Sequence, residues 1–202
     1  MPVQADTPGK STEEIALFPL NTVLFPGGPL PLRIFEPRYV DMVGTCLREQ
    51  RGFGVVLIRE GSEVGAAEFE TLGTLARIVD FHMLSDGLLG LTTIGERRFR
   101  IQAHERRRDG LHVGQVQWLD FERPQPLPAE YGHLPGVLET LLNAASDLYA
   151  SIERKPEDAS WVSCRLAELL PLTLPSRQFC LELEDPLERL RLLGALIKVP
   201  GD

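Results

Sequence analysis

The sequence has no surplus of positive charge, no paired-cysteine motif and no unbroken apolar run. Its 202 residues carry 21 Lys and Arg against 29 Asp and Glu, a formal charge of −8. Such a chain lacks the many phosphate-neutralising cations that sequence-independent wrapping of nucleic acid requires, although a local basic site stays open. The three cysteines, Cys46, Cys164 and Cys180, are odd in number, widely spaced and without a CxxC pair. That usage excludes a disulfide framework and a zinc knuckle, and predicts small buried apolar residues in a reducing cytoplasm. The opening Met1 to Thr12 lacks the basic start and apolar core of a secretory signal. Ile15 to Leu32 is uncharged over 18 residues, but Pro19, Pro26, Pro29 and Pro31, with Gly27 and Gly28 between them, preclude a membrane-spanning helix. Short buried strands joined by turns are expected there, and no membrane association.

Catalytic signatures are also missing. Gly9-Lys10-Ser11 resembles the end of a phosphate-binding loop, but Gln4 stands where that loop needs a glycine. There is no G-x-S-x-G elbow to expose a serine nucleophile. The four histidines, His82, His104, His112 and His133, form no HExxH or other close ligand pair. No catalytic residue, metal or cofactor is therefore expected.

What is present reads as two regions. Residues 1–13 hold few apolar side chains to offset ordering and read as a flexible leader. A β-rich region over residues 14–122 follows. Strands are expected at Ile15–Leu20, Thr22–Phe25, Leu30–Phe35, Phe53–Ile58, Thr71–Met83, Leu88–Ile94, Arg97–Arg107 and Leu111–Phe121. Arg59–Glu70 reads as a charged loop, and Asp109-Gly110 as a two-residue hairpin turn. A helix is expected over about Pro37–Gln50, with Glu36 as its cap, proline at its first position, and Gly52 as a stop. Pro124, Pro126 and Pro128 mark a stiff linker over residues 123–130.

Residues 131–202 then read as a helical bundle. One helix of about four turns is expected over Leu134–Tyr149 and a second over about Ser160–Leu170. A third, capped by Ser176, reaches about Leu183, and a last opens at Asp185-Pro186-Leu187-Glu188 and runs to about Val199.

Several segments, taken in order, carry a family resemblance. LFPLNTVLFPGGPLPLRIFEPRYVDMV, FGVVLI, GTLARI and DGLLGLTTIGERRFRI, then LAELLPLTLPSRQFCLELEDPLERLRLL, resemble the amino-terminal, substrate-recognising domain of Lon proteases from about Glu14 to Lys198. The resemblance implies an α+β fold, a PUA-like β pseudobarrel followed by a small C-terminal α-helical bundle. It implies a module that engages unfolded or tagged polypeptides, or docks a partner protein as an adaptor, as the Lon-like region of cereblon serves as a scaffold. The ATPase motor and the serine–lysine peptidase of complete Lon proteases have no counterpart in these residues, so proteolysis by this chain alone is not expected.

Two surfaces are candidates for contact. Phe35, Glu36, Arg38 and Tyr39 form the most distinctive local cluster and are the expected polypeptide contacts, although each also has a structural role open to it: core packing, helix capping or local pairing. Arg97, Arg98, Arg100, Arg106, Arg107 and Arg108 form a cationic run suited to RNA phosphates or an acidic peptide. The alternative for the run is the solvated face and tip of a strand ribbon, paired with Glu96, Glu105 and Asp109. RNA binding through a PUA-like barrel, and a small-molecule enzyme with a cleft between barrel and bundle, are the competing functional readings.

Overall fold

The structure is a computed structural model and describes residues 12–63 and 67–197. Six strands form one mixed sheet: β1 Thr12–Leu20, β2 Pro29–Ile34, β3 Phe53–Gly61, β4 Ala67–Met83, β5 Leu89–Arg106 and β6 His112–Trp118. β1 pairs with β3 in parallel, and every other pairing is antiparallel. Along one edge β5 meets β2 over Leu89–Ile94 and then β6 over Phe99–Arg106. Because β6 also pairs with β1, the order β1-β3-β4-β5-β6 closes on itself and β2 lies outside the ring. A ring of five strands has a narrow interior, and this one is filled chiefly by Phe99 with Ile15, Leu17, Val56, Ile101 and Val116. Gly73 is there because nothing larger fits: a Cβ would lie 2.4 Å from the Val55 carbonyl oxygen and 2.8 Å from the Phe99 ring.

The outer face of the ring is covered in two places. Helix α1, Pro37–Glu49, lays Tyr39, Met42, Val43 and Cys46 against Phe18, Phe53 and Val55. The C-terminal helices cover the rest: α2 Leu134–Ala144, α3 Ser146–Tyr149, α4 Ala159–Leu169, α5 Leu174–Glu182 and α6 Pro186–Gly194. Their apolar cluster takes in Val23, Phe25, Leu57 and Leu72 from the β region, so sheet and helices share one core.

Several local expectations need correction. Thr22–Phe25 is not a strand; Val23 and Phe25 plug the helical cluster and Leu24 the α1 cluster, so its apolar content serves packing rather than pairing. Helix α1 stops at Gln50, which takes the left-handed conformation (φ 52°), and Gly52 is needed instead for close approach, since a Cβ there would lie 2.4 Å from the Ala76 carbonyl oxygen. Most of the expected Arg59–Glu70 loop is strand, because β3 and β4 continue to Gly61 and from Ala67. Leu88–Ile94 and Arg97–Arg107 form one continuous strand, β5, bulged where it changes neighbours.

The Asp109-Gly110 turn carries one more residue than expected: Arg107 N–H donates to the Leu111 carbonyl, leaving Arg108, Asp109 and Gly110, with φ 88° at the glycine. That is the three-residue form with its left-handed glycine. The helix expected over Leu134–Tyr149 breaks at Ala145, and Thr173 rather than Ser176 caps α5 by accepting from the Ser176 amide. Thr12 and Glu13, expected in a leader, pair with β6, while the rest of that leader and the expected helix end at Val199 lie outside the described residues.

Two glycines make the packing argument testable. Gly73→Ala should destabilise the fold by about 1–3 kcal/mol, since a backbone carbonyl cannot move aside cheaply. Gly136→Ala, in α2 with open space around its Cβ position, should instead stabilise by about 1 kcal/mol through helix propensity. Urea unfolding midpoints of the two variants should shift in opposite directions.

Candidate functional site

The residues from Leu30 to Tyr39 build a groove. In β2, side chains alternate so that Leu30, Leu32 and Ile34 share one face. Pro29 and Pro31, in the same strand, have no backbone donor to offer a neighbour. The chain then turns at Phe35 and Glu36 into α1, whose Pro37 occupies the first helical position. The result is a groove of about 380 Å³ with Phe18, Leu20, Leu30, Leu32 and Tyr39 along it and Glu36 and Glu63 at its rim. Phe35 stands beside this apolar floor with 58 % of its surface exposed, an arrangement suited to gripping another apolar chain.

The four expected contact residues divide between two jobs. Phe35 is exposed and Glu36 half-buried at the groove. Tyr39 is buried, its ring stacked 4.0 Å from that of Phe18, and burial raises its hydroxyl pKa against the opposing pull of Arg38. Arg38 is buried as well. It donates to the Gly110 carbonyl (2.7 Å) and the Glu63 carbonyl (3.3 Å) and pairs with Glu36 (2.8 Å). It therefore ties the start of α1 to the β5–β6 turn and to the chain leaving β3. Leu30, Leu32 and Glu63 were missed by sequence reasoning; the alternating leucines of β2 were the available signal.

The six arginines do not come together as one patch. Arg97 lies against the rings of Trp118 and Phe121 and donates to the Leu119 carbonyl. Arg107 pairs with Glu14, Arg106 donates to the Gly110 carbonyl, and Arg100 and Arg108 are exposed. Arg98 is buried: it does alternate onto the outer face opposite Phe99, but there the helices roof that face. Its Nη1 donates to the carbonyls of Leu181 (2.6 Å) and Leu183 (2.9 Å), and its Nη2 reaches Glu122 at 3.3 Å.

Glu122 is the centre of a buried charge network. Arg189 of α6 donates to both its carboxylate oxygens, at 2.5 and 3.1 Å, and Ser160 donates to it at 2.5 Å. Burial pushes its pKa up, but the bonds from Arg189 and Ser160 and the charges of Arg189 and Arg98 outweigh that and hold it below the ordinary carboxylate value.

A second network holds the Pro26-Gly27-Gly28 turn. Arg165 of α4, fully buried, donates to the Pro26 carbonyl and to Glu168, each at 2.8 Å, and Tyr149 donates to the other Glu168 oxygen at 3.0 Å. Burial pushes the Glu168 carboxyl up to about 7, with Arg165 and Tyr149 pulling the other way. The hollow between barrel and helices near Arg97, Phe121 and Trp161 is about 170 Å³, smaller than the roughly 300–1,000 Å³ of small-molecule sites. Among the described residues no three His, Cys, Asp or Glu side chains converge as metal ligands, and no helix is long and apolar enough to cross a membrane. His112 is buried with both ring nitrogens unpartnered; burial, then Arg106, His104 and Arg38, lower its pKa.

The family model of the ATP-dependent protease La (LON) substrate-binding domain matches residues 14–199. The chain belongs to this family. A solved Lon N-terminal domain protein from Xanthomonas campestris is 41 % identical, with a TM-score of 0.76 over 92 % of this chain and 99 % of that one. Lon protease 2 of Myxococcus xanthus is 34 % identical over 50 % of this chain and 13 % of its own length. The Lon protease of Methylocella silvestris is 26 % identical over 87 % of this chain and 22 % of its own. The chain thus spans under a quarter of the length of either protease. The groove at Phe35 and both charge networks lie within the matched residues.

Removing the Glu122 carboxylate would leave Arg98 and Arg189 buried without a counter-ion. Glu122→Ala should therefore cost about 3–5 kcal/mol in chemical unfolding. Glu168 sets a pH dependence. Its folded pKa is raised, so its contribution is fully present below about pH 4.5 and is lost as pH rises through about 7. Glu168→Gln, always neutral, should gain in melting temperature relative to the wild type as pH goes from 5 to 8; a difference that stays constant across that range contradicts the assignment.

Proposed function

We propose that this chain is a non-catalytic polypeptide-binding module that takes exposed apolar segments of unfolded or tagged proteins into the groove beside Phe35, working in the cytoplasm as an adaptor or docking piece. The observation that carries this is the groove itself. An exposed phenylalanine stands over a floor of leucines whose other sides are held by a packed core, so the site is rigid and needs little ordering on binding. Membership of the Lon substrate-binding family supports the choice of a polypeptide rather than a small ligand. The closed strand ring supports describing the barrel as PUA-like. ATPase and peptidase activities are outside this proposal, since the family model that the chain matches is that of the substrate-binding domain.

RNA binding ranks behind this reading because the arginines that would carry it are dispersed, one of them beneath the helices. The cleft-enzyme reading ranks behind it because the hollow between barrel and bundle is small.

Titration with a fluorescently labelled, reduced and alkylated model protein tests the proposal at physiological salt. Saturable binding is expected, weakened about tenfold by Phe35→Ser or Leu32→Ser, the loss of one well-packed apolar contact. Melting temperature should barely move for Phe35→Ser, whose side chain is largely in water. Absence of saturable binding by the wild type removes the proposal.

A further inference from the structure

Strand β4 has a neighbour on both edges only as far as Ala76, where β3 begins opposite it at Phe53. From Arg77 to Met83 it pairs with β5 alone, and among the described residues no strand lies on its other edge. The turn beyond it is closed by Leu84 N–H donating to the Leu88 carbonyl at 2.8 Å. Antiparallel pairing alternates from there. His82 therefore exchanges its backbone bonds with Gly90, whereas Phe81 and Met83, opposite Leu91 and Leu89, aim theirs outward. The same two residues carry apolar side chains that are 56 % and 72 % exposed, on the face where Leu91 and Leu89 join the α1 cluster.

Natural proteins usually blunt such an edge. β2, at the other side of this sheet, is blunted by Pro29 and Pro31. On β4 the protection is partial: a bulge lies between Ile78 and Asp80, and the Asp80 carboxylate accepts the Phe81 N–H at 2.8 Å. Around Met83 the described structure shows no such device. Only an extended chain can meet a row of outward amides and carbonyls and two alternate apolar side chains together.

We propose that the β4 edge at Phe81–Met83 is a strand-addition site, which takes an extended, proline-free polypeptide segment with apolar residues at alternate positions. The incoming segment bonds to the Phe81 carbonyl and to the Met83 N–H and carbonyl, and reaches the Phe81 N–H once Asp80 turns away. It lies end to end with β3. At the junction is a hollow of about 550 Å³ lined by Leu47, Leu75 and Ile78 together with the charged Arg51, Arg77 and Glu96, open to the next side chain of the segment. This rests on the reading that the chain binds polypeptides, and adds to it a second contact that recognises the backbone.

The test uses the full chain and a labelled peptide of alternating valine and threonine with lysine at each end. A second copy of the peptide is N-methylated at alternate amides, which removes strand bonding and keeps the side chains. The plain peptide should bind, and N-methylation should weaken it about tenfold, as expected for losing backbone hydrogen bonds. Met83→Pro removes an outward N–H without touching the β5 ladder and should weaken binding by a similar factor with melting temperature nearly unchanged, whereas Met83→Leu should not. Asp80→Ala, which frees the Phe81 N–H, should tighten it.

Equal binding of the two peptides overturns the inference, because side-chain contact alone would then suffice. If the unfolded model protein binds but the plain peptide does not, the inference falls and the polypeptide-binding proposal stands. If neither binds, both fall. A concentration-dependent dimer abolished by Met83→Pro, without peptide binding, assigns the edge to a second copy of this chain and overturns the inference as well.

Discussion

The buried carboxylate of Glu122 between Arg98 and Arg189 is the interaction on which the arrangement of this protein depends. Arg98 comes from the longest strand, Glu122 from the chain leaving β6, and Arg189 from the last helix. Three charges removed from water in one place are tolerable only if each is paired and hydrogen-bonded. That demand specifies a single docking of helices on barrel, because a sliding of α6 would strand at least one of them. The Arg165–Glu168–Tyr149 network does the same at the other contact, where it holds the Pro26 turn against α4.

With the helices docked there, the outer face of the strand ring is divided. One part is under α1, one part under the bundle, and what remains uncovered includes the neighbourhood of β2, the far end of β4 and the β5–β6 hairpin. The groove at Phe35 and the edge at Phe81 and Met83 both lie in that remainder. The interior of the ring offers no room, since Phe99 meets the glycines of facing strands. An interior without room leaves the outer surface for any contact with another chain, and the packed core beneath that surface keeps the ordering cost of such a contact low.

Much of this was legible in the residues. The order of β segments before helical ones, the start of α1 at Glu36-Pro37, the α6 start at Asp185-Pro186, and the burial of Cys46, Cys164 and Cys180 all follow from local chemistry. Phe35 and Glu36 at the groove were reached through their position before a proline-started helix. Not legible was anything set by a partner distant in sequence. Arg98 read as an exposed strand residue because alternation says which face a side chain takes, not what covers that face. Arg38 carried two readings, contact and local pairing; its Glu36 partner is local, but its acceptors at Glu63 and Gly110 lie far along the chain. Thr22–Phe25 read as a strand because buried plug and buried strand share one composition.

By itself the sequence determined the order of β segments before helical ones, the proline-started openings of α1 and α6, the alternation of faces along each strand, and the acidic balance of the whole. Those are decided within a few residues, by backbone sterics, capping and side-chain period. Tertiary structure alone decided which outward faces stay in water, which charges are buried together, and which strand edge lacks a neighbour. Each of these depends on what another segment brings within a few ångströms, and that is a property of the packed chain, not of any window along it.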